Sequence, residues 1–319
     1  MCVNCQSPAH IRCGQNSASL QMLEVAMEGR AMGRISLVRR LRNRVFAHSL
    51  LSCWGCRQNG GALTQCGGAW QQHRQNDQYL PPNNKWARLL EGSELREPWL
   101  SALLKAYPAV RPCWTNSLWN VLSTLWDERR PTDHWAQTLH LENGYKLPAH
   151  TSFLMRRLFG CPDWNNLGCV LALLGSNSKQ FAPHRRWLRT HFLNYLILVC
   201  MAEPICFVRA PLYELLNKIY LRGLFELVDD WPSDFAAFEQ YCEAVERCGE
   251  WMRARGWIAG WDLHACTLLQ LYRPDQAMLQ QEVLTLARQP PSVELPSWIA
   301  RKVEAALEGH RRDLFAMGA

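Results

Sequence analysis

Between Lys179 and Ala202 the sequence KQFAPHRRWLRTHFLNYLILVCMA joins a cationic cluster directly to the most apolar stretch of the chain. Such a run is either a membrane span with a basic flank or a helix buried in a folded body. A span needs about 20 apolar residues, and the run from Phe192 to Ala202 is about half of that and contains Asn194. The stretch therefore reads as a core helix that starts at Pro183, where proline suits a first turn, and reaches about Glu203. Its C-terminal half is expected in the core, with Arg185, Arg186 and Arg189 at the surface.

The rest of the chain repeats the helical period. Leu118, Leu122 and Leu125 form one stripe beside Trp119 and Trp126 over residues 116–129. Further helices are expected at 85–91, 98–106, 133–139, 151–160 and 167–174. In the C-terminal part they are expected at 211–228, from an N-cap at Ser233 to Gly256, and over 261–272, 276–287 and 297–316. No two-residue alternation, hairpin turn or fixed-period repeat competes with this pattern. The expected fold is all-α, an irregular orthogonal body of about ten helices. It would span residues 85–319, after a polar, proline-containing linker at 76–84 and a Cys/Arg-rich N-terminal extension over 1–75 that is either zinc-binding or partly disordered. With 48% hydrophobic residues the chain can fill such a core, and most of its 15 Trp are expected there; a base-stacking surface is the alternative for them.

The net charge of +7 is unevenly placed. Residues 1–80 carry nine Arg, no Lys and three acids, and residues 144–202 carry seven bases against Asp163, whereas residues 203–319 carry twelve bases against seventeen acids. Residues 34–51, RISLVRRLRNRVFAHSLL, have apolar positions at helical spacing with Arg39, Arg40, Arg42 and Arg44 between them, a basic amphipathic helix. A localised positive surface suits a polyanion, because Arg and Lys contacts hold a nucleic-acid backbone without reading its sequence. Arg39, Arg40, Arg44, Arg156, Arg157, Lys179, Arg185, Arg186 and Arg189 are the expected contacts. The alternative is a solvated face paired with the acidic C-terminal third.

Fourteen Cys with no apolar leader in MCVNCQSPAHIRCGQ point to reduced thiols and a cytoplasmic protein. Two clusters have the residue types of a zinc site. Cys2, Cys5, His10 and Cys13 could complete a tetrahedral set. The spacing resembles a zinc knuckle, a module associated with single-stranded nucleic acid, although the last gap is two residues instead of four and Ala9 stands where the knuckle has glycine. Cys53, Cys56, Cys66 and His73 form the second set, with glycines that would let the backbone wrap around an ion and His48 as a substitute ligand. The eight later cysteines mostly sit at apolar helical positions and read as small core residues.

Asp229, Asp230, Asp262 and His264 are the candidates for acid–base chemistry, with a simpler reading of Asp229 and Asp230 as turn residues and of Asp262 as a helix-start residue. There is no phosphate loop, nucleophile elbow or two-His metalloprotease motif. The function these features favour is non-enzymatic nucleic-acid binding, DNA before RNA, with a protein partner for the acidic third and no membrane. The alternatives are an enzyme acting on DNA, such as a helical glycosylase or a nuclease, and a helical scaffold for an acidic protein.

Overall fold

The structure, a computed structural model, describes residues 36–74, 84–139, 162, 164–225 and 227–261, and beyond these 265, 268, 297, 300, 301, 303–305 and 308. The helices expected over 151–160, 261–272, 276–287 and 297–316 lie wholly or largely outside those residues. The chain divides into two compact units, residues 1–36 and residues 37–319. Among the described residues there are eleven α-helices, three short 3-10 turns and no strand. They are α1 (Leu37–Cys53), α2 (Gly60–Arg74), α3 (Lys85–Leu90), α4 (Trp99–Ala106), α5 (Arg111–Thr115) and α6 (Ser117–Trp126). These are followed by α7 (Asp133–Gln137), α8 (Trp164–Leu174), α9 (Ala182–Val199), α10 (Arg209–Leu221) and α11 (Phe235–Ala254). No described helix is long and apolar enough to cross a membrane.

The large core is built on α9. Its apolar half buries Phe192, Leu193 and the run Tyr195 to Val199, and it packs on α8 and α11. Each fully buried side chain of this size contributes about 1.5–3 kcal/mol. Leu118, Leu122 and Leu125 of α6 meet α8 from the other side. That contact is close because Gly168 has no side chain: a Cβ there would lie 2.7 Å from the Leu118 backbone nitrogen. The helix ends at Val199, a turn short of the expected Glu203.

The Arg-rich helix α1 is a wall shared by two cores. Val38, Leu41 and Val45 belong to the large core, while Phe46, Ala47, Leu50 and Leu51 belong to a second one with Leu63, Trp86, Leu89, Leu95, Leu103 and Val110. Residues on both sides of the 76–84 stretch thus fill one core, and α1 belongs to the 37–319 unit; nine buried positions on one helix need walls that only the later helices supply. The glycine-rich Cys segment is also helical. Gly67 of α2 lies flat on Trp86 of α3, where an added Cβ would come within 2.3 Å of the indole. Glycine here serves helix contact and leaves the backbone regular.

Two helix boundaries differ from expectation for local reasons. Asp234, one residue after Ser233, caps α11 by accepting from the Ala237 amide at 2.9 Å; Ser233 bonds only to the Asp234 carboxylate. Helix α10 stops at Leu221 instead of Val228, because Gly223 takes a φ of +64°, a left-handed conformation that ends a helix.

Candidate nucleic-acid interface

The loop before α9 is positioned by Asp133 at the start of α7. Its carboxylate accepts from Ser176 Oγ at 2.6 Å and from the Ser178 amide at 2.8 Å. Arg185 then donates to the Ser178 carbonyl at 2.9 Å, so the guanidinium is half-buried and turned back onto its own loop. Lys179 and Arg186 are exposed. Arg189 is exposed but engaged: Nε donates to Asp229 at 2.6 Å, Thr190 Oγ1 donates to the other oxygen at 3.2 Å, and the Asp229 amide donates to the Arg189 carbonyl. The Arg189 hydrogen bond holds the Asp229 carboxyl below its usual range.

Asp229 thus ties a turn to α9, and Asp230 occupies that turn with a φ of +58°. What the turn delivers is Trp231, stacked at 6.1 Å on Phe192 and lying against Tyr213, Tyr220 and Phe225, with its indole nitrogen donating to Asn217 at 3.0 Å. Asp262, His264, Arg156 and Arg157 lie outside the described residues.

On α1, Arg39 is exposed and reaches Glu94 at 3.9 Å, while Arg40 is exposed with its backbone packed on Gly92. Arg42 lies over the Trp114 ring at 3.9 Å. Burial is the main reason its pKa falls below the ordinary arginine value. Arg44 is half-buried near His48, whose pKa burial also pushes down. His48 stacks on Phe207, and its Nδ1 meets Gln58 Oε1 at 3.0 Å; the Gln58 amide donates to Ser52, and Ser52 donates to Glu203. This network stitches α1, the α1–α2 loop and the 3-10 turn at Ile205–Val208 together.

The arrangement that sequence spacing does not show is a set of cations seated on indoles. Arg74 lies 5.8 Å from the Trp70 ring, and Lys85 lies 4.2 Å from Trp99 and 5.2 Å from Trp86. Trp70 packs edge-on to both Trp86 and Trp99 and is, like Trp99, half-exposed. Arg222 sits 3.7 Å over Trp126 in the large core. The described residues hold seven such contacts, where about four would be usual for a chain of this size. The tryptophans therefore do two jobs, filling cores and seating cations at their rims.

Of the second cysteine set, Cys56 and Cys66 are half-buried, and the neighbouring Cys56 thiol, with burial, pushes the Cys66 thiol up to about 11. Cys53 is exposed at the end of α1 and His73 is exposed in the last turn of α2. Among the described residues no three His, Cys, Asp or Glu side chains are grouped so as to hold a metal ion. A helical α2 spaces Cys66 and His73 two turns apart along one rod instead of folding them around an ion. The set Cys2, Cys5, His10 and Cys13 lies outside the described residues.

The described residues form an all-α body in which several tryptophans carry an Arg or Lys side chain over the ring. Comparison of this chain with protein-family models, with curated proteins and with solved structures gives no significant match.

Proposed function

We propose that this protein binds nucleic acid, holding the phosphate backbone with exposed cations of α1–α4 and of the Lys179–Arg189 segment. The observation that carries the reading is the charge of the second core and its surroundings. Residues 37–115 contain eleven Arg and Lys against Asp77, Glu91, Glu94 and Glu97, a surplus equal to the net +7 of the whole chain. These cations stand among half-exposed indoles, and a basic groove with aromatic faces is the chemistry that holds unpaired nucleic acid. Backbone contacts release counterions, so affinity should fall steeply with salt.

The test is fluorescence anisotropy of the full chain with labelled single-stranded and duplex DNA and RNA over a series of salt concentrations. Binding at low salt with a log–log slope of several units is expected. Replacing Arg74 and Lys85 together by Ala should flatten that slope by about 1.4–1.8, roughly 0.7–0.9 for each lost phosphate contact. Absence of binding at low salt, or affinity indifferent to salt, would overturn the proposal.

A further inference from the structure

We infer that Trp70 is a base-stacking platform and that unpaired strands are the substrate class of the cationic surface; the inference rests on the nucleic-acid reading above and narrows it. Trp70 lies near the end of α2, where Ala69, Gln72, His73 and Arg74 are exposed, and its own ring is half-exposed. Three residues earlier Gly67 lies against Trp86, and the same face of α2 brings Trp70 edge-on to Trp86 at 6.2 Å and to Trp99 at 6.1 Å. Trp86 is 1% exposed, which makes it a fixed wall. The Trp70 ring is therefore held in one orientation before any ligand arrives, and a rigid aromatic loses little freedom on binding.

What lies over the ring sets Trp70 apart from other tryptophans. Arg42 stands 3.9 Å from the Trp114 centroid, Arg222 stands 3.7 Å from Trp126, and His191 is stacked on Trp187 at 3.9 Å, so each of those rings already has a face covered. Arg74 comes only to 5.8 Å from the Trp70 centroid, too far to cap it, while Lys85 is seated 4.2 Å from Trp99 next door. Trp70 thus has one cation beside it on its own helix and another on the neighbouring indole. A base laid on that ring would bring its flanking phosphates towards Arg74 and Lys85, the pairing of stacking face and charge that holds single strands. In a duplex the bases are stacked on one another and offer no free face without unpairing. Phosphates are common to both forms, so the ring discriminates strand state where the cations do not.

The experiment compares, by fluorescence anisotropy of the full chain over a salt series, a labelled thymidine strand of about 16 nucleotides with an abasic strand of the same length and charge. The thymidine strand should bind roughly tenfold more tightly at every salt concentration, with parallel log–log slopes, because stacking adds to an unchanged set of phosphate contacts. Trp70→Ala should bring the two strands to the same affinity, and Trp70→Phe should keep most of the difference. Wild-type protein that binds both strands equally would overturn the inference and leave salt-dependent nucleic-acid binding standing; no binding of either strand at low salt would remove that reading itself. A difference that survives Trp70→Ala, with both strands weakened by one factor or not at all, would also overturn it, because the ring would then only support the fold. An iodouridine strand, cross-linked to the wild-type protein by near-ultraviolet light and mapped after trypsin digestion, places the base without any variant. Attachment is expected within Gln58–Arg74, the peptide that holds Trp70, and attachment confined to other peptides would overturn the placement.

Discussion

Replacing Gly67 and its neighbour Gly68 by alanine, one at a time, should change stability in opposite directions. Both lie in α2, so each gains helix propensity, about 1 kcal/mol for Gly→Ala in a helix interior. At Gly68 a Cβ meets nothing within 4 Å, and the gain stands alone. At Gly67 the new Cβ would lie 2.3 Å from Trp86 Cδ2 and 2.6 Å from two more ring carbons. Trp86 is 1% exposed and hemmed edge-on by Trp54 and Trp70, so the ring cannot swing clear and helices α2 and α3 must part. Overpacking of this kind costs about 1–3 kcal/mol, and a contact this short belongs at the upper end. The net is a loss of about 2 kcal/mol at Gly67 against a gain of about 1 kcal/mol at Gly68. At about 2–4 °C per kcal/mol the two variants should melt roughly 6–12 °C apart. Thermal and urea unfolding followed by circular dichroism reads the difference. If both variants are stabilised, α2 does not pack on Trp86; if both are destabilised, the glycines serve a non-helical backbone such as a metal-wrapping loop, and the helical account of this segment fails.

Arg209, 8% exposed, donates to the Cys200 carbonyl and pairs with Glu239 and Glu246. Arg209→Met should therefore destabilise by about 3 kcal/mol in urea unfolding, less than a fully buried pair because both glutamates meet water. Adding Glu239→Gln and Glu246→Gln should restore part of that loss, and strictly additive losses would show that the three do not act as a unit. Because burial depresses the His48 pKa, the folded state binds fewer protons than the unfolded chain below about pH 6.5. Stability should fall as pH drops through that region, and His48→Gln should flatten the profile between pH 7 and 5. Asp229→Asn should release Arg189 and steepen the salt slope of nucleic-acid binding by up to about 0.9, while Arg189→Ala leaves the wild-type slope in place.

How much of this was legible in the sequence depended on whether a signal was periodic and local. The leucine stripe of α6, the buried half of α9 and the cysteines at 113, 200, 242 and 248 emerge as core because helical spacing carries that information. The helix at Gly60–Arg74 did not, since four glycines cancel its intrinsic propensity and the contact that stabilises it, Gly67 on Trp86, joins residues on opposite sides of a linker. The Arg face of α1 was visible as charge, but not that Arg42 would be spent on Trp114 or Arg39 turned towards Glu94. Likewise nothing in the spacing of Asp229 announces that its partner is Arg189, forty residues earlier. Pairings across the fold are set by packing, and a single sequence states the partners without stating the pairs.

That limit bears on where a polyanion would be held. Sequence alone placed the α9 cations beside those of α1 in the positive surface, yet Arg185 is turned onto Ser178 and Arg189 is neutralised by Asp229. Lys179 and Arg186 remain exposed there, two charges on one edge. Around the second core the cations are more numerous, and Arg74 and Lys85 are already ordered against rings before any ligand arrives. A long basic side chain carries about 2 kcal/mol of rotamer entropy, and a stem held against an indole has surrendered part of it in folding. The remaining loss on contact with a phosphate is smaller, which is the advantage of a preorganised surface. Half-exposed Trp70 and Trp99 stand beside those charges, where α9 offers Trp187 covered at 3.9 Å by its own His191. On the proposed reading the second core is therefore the stronger place for a nucleic-acid backbone, with the start of α9 as an outlying contact.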